Sequence, residues 1–111
     1  MKTYDIARDA RESAEGEAIV GFQRTGSHAC YLLYGVLKPG ERGRVVKPGR
    51  GHEEILLAIK GDLVVTGFFA GTLTEGSAIH LSGEQECLLE NTGDSEALYV
   101  IAGGHSEGGH H

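Results

Sequence analysis

Glycine punctuates this chain. Eighteen of its 111 residues are glycine and only two are proline. The glycines fall between short apolar runs, a spacing that favours short strands joined by tight turns over long helices. The clearest unit is Gly49-Arg50-Gly51-His52-Glu53-Glu54-Ile55-Leu56-Leu57-Ala58-Ile59-Lys60-Gly61-Asp62. Its apolar run is the right length for one strand and too short for a helix. Gly61-Asp62 then reads as a hairpin turn into Leu63–Thr66.

The rest of the chain follows the same grammar. Cys30–Leu37 is β-rich and apolar on both faces, so it belongs in the middle of a sheet or under a cover. Lys38-Pro39-Gly40-Glu41 has the proline and glycine order of a type II turn. Further strands are expected at Arg42–Val46, Thr72–Thr74, Ala78–Leu81 and Ala97–Ala102. Between Gln85 and Asn91 the residues alternate. Glu86, Leu88 and Glu90 share one face, and Gln85, Cys87, Leu89 and Asn91 share the other. The glutamates mark the wet side, which sends Cys87 inward. Asp9–Gly16 could make a helical turn or two, though its apolar face is weak, while Tyr4 and Ile6 read as strand material and Ala18–Phe22 as a short strand. Residues 1–28 are expected to form an N-terminal arm, 29–102 the barrel, and 103–111 a flexible Gly/His tail.

One core and one domain fit a chain of this length. The formal net charge of −6 argues against nucleic acid as a partner, since no basic stripe is present to neutralise phosphates. No stretch is long and apolar enough to span a bilayer, and the N-terminus has no signal-peptide core. Two cysteines are too few for a disulfide framework, so the expected setting is cytoplasmic with reduced thiols.

Two spacings resemble a known family. Glu54 is followed after six residues by Gly61. Gly76 opens a second stretch that ends at Asn91, with Cys87 four residues before it. In these the chain is similar to the small single-domain members of the cupin superfamily, over roughly residues 29–102. The resemblance implies an all-β fold, a jelly-roll barrel or double-stranded β-helix, and a homodimer as the expected assembly. It also implies a metal held by three histidines and one glutamate. Here only Glu54 stands in a ligand position. The paired histidines fall on Pro48 and Arg50 (or on Lys47 and Gly49), and the third falls on Cys87. Ser82 and Glu84 replace the proline and glycine of the second motif.

The chemistry-bearing residues support alternative readings. His52, Glu54, His80 and Cys87 would make a displaced site for Zn, Fe or Ni, with His105 as an added ligand if the last strand ends at the barrel mouth. Such a site could serve a metal-dependent enzyme, of the oxygenase or isomerase type that the family includes. Alternatively the mouth binds a small molecule without metal. Arg50 would then neutralise Glu54 or hold an anion, and Gln85 would add a polar contact. A third reading is structural, with the doubly apolar Cys30–Leu37 run covered by a second subunit. Nucleophilic chemistry at Cys87 would need a nearby base, for which His80 is the nearest candidate.

Overall fold

The computed structural model describes residues 1–106. Nine strands form two antiparallel sheets. They are β1 (Glu17–Val20), β2 (Cys30–Leu37), β3 (Arg42–Val46), β4 (Gly49–Lys60), β5 (Leu63–Gly67), β6 (Gly71–Leu73), β7 (Ala78–Gly83), β8 (Cys87–Glu90) and β9 (Ala97–His105). One sheet has the order β1-β2-β9-β4-β7, the other β3-β8-β5-β6. Together they make the expected jelly roll.

The core lies between the sheets, and alternation sorts the side chains. On β4, Glu54, Leu56 and Ala58 are buried and Ile55 is exposed. On β8, Cys87 and Leu89 are buried while Leu88 is exposed. Leu37, Leu63, Leu81 and Tyr99 join them with no exposed surface. A filled interior of this kind stabilises the fold chiefly by removing apolar area from water. Asn91, the residue that closes the second motif, is 2% exposed and acts as a staple. Its Nδ2 donates to the carbonyls of Leu37 and Ser95 at 3.0 and 2.8 Å, and its Oδ1 accepts from Gly93.

Three sequence expectations are corrected. Tyr4 and Ile6 are not in a strand. Ile6 opens a short helix, α1 (Ile6–Glu12), whose first turn is capped by Asp5 accepting from the Arg8 N–H. The helix is stabilised by burying Ala10, and it packs on β1 and β2. A second helical turn, α2 (Phe22–Thr25), closes on Gly26 with φ of +78°. Gly61-Asp62 does not close a hairpin. β4 already has β7 and β9 on its two edges, so the turn carries the chain across to the other sheet, where β5 pairs with β6 and β8. Gly103-Gly104-His105 is not tail. It continues β9, hydrogen-bonded between β2 and β4. The remainder of the expected tail, 107–111, lies outside the described residues.

Candidate functional site

The head of β4 and the end of β9 lie side by side, with the start of β2 on the far side of β9. In register, His52 faces His105, Glu54 faces Gly103, and Tyr31 faces Gly103 from β2. All these positions share the inward face of the sheet, at one end of the filled core. That end is the barrel mouth.

Glu54 is 8% exposed, which makes it one of two buried polar side chains among the described residues. A buried carboxylate is costly unless a donor meets it. The donor is Tyr31, whose hydroxyl lies 2.6 Å from Glu54 Oε2. Tyr31 reaches it by lying across Gly103, where a Cβ would sit 2.2 Å from the ring. Burial pushes the Tyr31 phenol far above its ordinary range, and donation to Glu54 pushes it further the same way. Tyr31 therefore remains a donor and Glu54 an acceptor.

His52 lies above this pair. Its ring is 6.0 Å from that of Tyr31 and 5.2 Å from that of His105, edge-on to both. Its Nδ1 is 3.2 Å from the Arg50 carbonyl oxygen. The flanking Gly49 and Gly51 have φ of +92° and +83°. The β4–β7 register also breaks between Gly49 and Glu53. This bulge turns the strand head over the mouth.

The remaining predicted residues go elsewhere. His80 is opposite Ile55 on the outer face of the sheet, where its Nε2 is 2.8 Å from Glu53 Oε1. The parity is decisive here, because a residue paired with an outward position is itself outward. Cys87 is inward as expected, with no exposed surface, but it belongs to the other sheet, opposite Val46 and Gly67. It is a small core residue. Arg50 is exposed, and the expected Arg50–Glu54 pair is replaced by Tyr31–Glu54. Gln85 closes its own turn, with Oε1 accepting from the Ser82 N–H at 2.8 Å. Both cysteines are free thiols.

The family's metal set does not fit this chain. Its four positions hold Pro48, Arg50, Glu54 and Cys87. Among the described residues no three His, Cys, Asp or Glu side chains are grouped to cage an ion. Glu54 already has a protein partner. Tyr31 is the residue that the sequence reading missed. The available signal was a glycine inside the last strand, but which tyrosine it faces is decided only by strand order.

The described residues carry several surface clefts. One of about 480 Å³ runs between α1 and the β2–β3 turn, lined by residues that include Arg11, Val36, Lys38, Glu41 and Glu96. Arg11 and Glu96 close on each other there at 2.7 Å. Another, about 380 Å³, is lined by Glu53, Ile55, His80, Ala102 and Gly104 together with Glu54 and Gly103.

The two-sheet jelly roll defines a small protein of the cupin fold. Solved structures agree. The protein TT1209 from Thermus thermophilus is 24% identical, with a TM-score of 0.69, covering 95% of this chain and 98% of its own. A predicted oxalate decarboxylase from Thermotoga maritima is 16% identical, with a TM-score of 0.66 and 81% of each chain covered. The cupin domain of Schizosaccharomyces pombe Cnp3 is 11% identical, with a TM-score of 0.66, covering 81% of this chain and 60% of its own. At these identities the likeness is one of fold. No protein-family model and no curated protein matches the sequence. Among the described residues no helix is long and apolar enough to cross a membrane.

Proposed function

We propose that the chain is a small-ligand-binding cupin domain, with its site at the mouth formed by Tyr31, His52, Glu54 and His105. The observation that carries this reading is the buried Glu54 carboxylate, kept at one end of a filled barrel and held by a single tyrosine. A carboxylate so placed is poor as packing, since an apolar residue of that size would cost less to bury. It is well suited to accept hydrogen bonds from a ligand. Arg50 is exposed, and among the described residues Glu54 has no ion-pair partner. The matching ligand is small and carries donors, as an amine or a hydroxylated molecule does. A lone carboxylate ligand is disfavoured by repulsion from Glu54.

The test is a nuclear magnetic resonance titration of the whole chain with ethanolamine, glycerol and glycolate. Shifts at Tyr31, Gly103 and Glu54 with either of the first two, lost in Glu54→Gln, support the reading. It fails if none of the three perturbs the mouth, or if Glu54→Gln responds as the wild type does. The enzyme alternative drew on His52, Glu54, His80 and Cys87 together; with His80 outside and Cys87 in the core, no observation favours it.

The same reading includes a partner. The outer face of the five-stranded sheet carries a row from Leu32 through Ala102 and Ile55 to His80. Leu32 is 39% and Ile55 51% exposed. On this face Glu53 and His80 hydrogen-bond to each other. We assign the face to a second copy of the chain. α1 packs on β1 and β2 and leaves β9, β4 and β7 open. A reducing compartment, the cytoplasm, is the setting that two free thiols support.

A further inference from the structure

We infer that His52 and His105 form a two-histidine clip for a borderline divalent metal ion such as Zn²⁺. The clip is built across β4 and β9 and uses none of the family's histidine positions. The inference concerns the same mouth and rests on the reading above for its being the ligand-binding end.

Register is the first support. His52 and His105 are direct cross-strand partners on one face, the arrangement that brings two side chains closest in a sheet. Their ring centroids are 5.2 Å apart at an interplanar angle of 78°. Two imidazoles bound to one tetrahedral Zn²⁺, with Zn–N bonds of about 2.1 Å, have centroids about 5 Å apart. The pair therefore stands at the separation that an ion between them would require.

The second support is the tautomer of His52. Its Nδ1 lies against the Arg50 carbonyl oxygen at 3.2 Å. A carbonyl only accepts, so Nδ1 must carry the hydrogen. In the neutral ring this leaves the lone pair on Nε2. Metal-ligating histidines are held in this way, with the other ring nitrogen donating to a backbone carbonyl or carboxylate.

The clip is also held in place. Beyond the pair, the Ser106 N–H donates to the Gly51 carbonyl at 2.9 Å, so the two strands stay laced past the histidines. Little ordering remains to be done when an ion arrives. The buried Glu54, two residues along the same face of β4, adds attraction for a cation. Imidazole suits Zn²⁺, Cu²⁺ and Ni²⁺, whereas Mg²⁺ and Ca²⁺ require oxygen ligands. Two protein ligands leave coordination positions open to water or to the small ligand. This accords with the absence of any three-ligand cage among the described residues.

The test uses the full chain, stripped with a chelator and titrated with Zn²⁺ by calorimetry, with imidazole ¹⁵N shifts followed in parallel. One ion per chain is expected, with the Nε2 resonance of His52 moving and Mg²⁺ without effect. His52→Ala and His105→Ala should each weaken binding at least tenfold. A double His110→Ala, His111→Ala variant should bind as the wild type does. Unchanged affinity in both single variants overturns the inference, and so does loss of binding in the double variant. If His52→Ala does not fold, the wild-type imidazole shifts decide, and an unmoved His52 overturns it. Binding of ethanolamine or glycerol to metal-free protein with no Zn²⁺ at the clip removes this inference alone. Zn²⁺ at the clip with no organic ligand removes the small-ligand reading alone.

Discussion

A single methyl group added at Gly103 would land 2.2 Å from the Tyr31 ring. Its partner case is Gly35, where a Cβ would land 2.0 Å from the Tyr99 ring. In both pairs a tyrosine lies flat over the glycine directly opposite it in the β2–β9 ladder. Each tyrosine then hands its hydroxyl to a glutamate, Tyr31 to Glu54 and Tyr99 to Glu17. Gly103 has ordinary backbone dihedrals, so its need is purely spatial. Gly103→Ala should therefore cost about 1–3 kcal/mol by overpacking and should release Glu54 from Tyr31. Gly40→Ala is the comparison. There φ is +82° and nothing lies within 4 Å, so only backbone strain of about 1–2 kcal/mol is at stake and the mouth is untouched. Urea unfolding gives both costs, and the Tyr31 ring resonances report the mouth. If Gly103→Ala leaves those resonances in place, the spatial argument is wrong. Glu54 was legible as a site residue because its spacing to Gly61 is local. Tyr31 was not, because its partners arrive from β4 and β9.

The element that depends most on side-chain chemistry is β1, the edge strand contributed by the N-terminal arm. It has a single strand partner, β2. Glu17 ties it down by accepting from the buried Tyr99 hydroxyl. Arg44 donates from Nη1 to the same hydroxyl at 2.8 Å, and from Nη2 to Glu41 at 2.9 Å and to the Val36 carbonyl at 3.2 Å. Burial pushes the Tyr99 phenol up, and Glu17 pushes it further, so it stays a donor. Burial alone would raise the Glu41 carboxyl. The Lys38 backbone N–H and Arg44 more than offset that, and the net shift is downward. A carboxyl with a depressed folded value adds stability above its unfolded value, near 4.5, and loses it as pH falls through the folded value. Glu41→Gln should thus be less stable than wild type at neutral pH, by a modest amount since the side chain is 39% exposed. The gap should close as pH is lowered through that range. Urea midpoints for both proteins at a series of pH values check this; a gap that widens toward acid refutes it. None of this network was visible in the sequence, where Arg44 read as one basic residue in a strand.

For the whole molecule, the expected assembly is a dimer through the outer sheet face. Light scattering at micromolar concentration should give twice the chain mass, and Ile55→Asp should return it to the monomer with the fold intact. Dimerisation that survives both Ile55→Asp and Leu32→Asp would place the interface elsewhere. The barrel itself was largely legible. Its strands fall close to where the glycine-bounded apolar runs lie, because strand identity rests on local alternation and turn chemistry. What went astray was connectivity. Gly61-Asp62 has the look of a hairpin turn, and no local signal tells a turn within one sheet from a turn between two. Gly103-Gly104-His105 has the composition of a tail, yet two neighbouring strands hold it in the sheet.

The sequence by itself determined an all-β fold and the inward face of β8, since each follows from spacing over a few residues. Tertiary structure decided which of those residues meet. It set His80 on the outer face by pairing it with Ile55, and it buried Cys87 in the second sheet. It left Arg50 exposed and brought Tyr31 and His105 beside the head of β4. The physical reason is register. In a sheet, a side chain's face is fixed by its own strand, but its neighbours are fixed by which strands pair and at what offset.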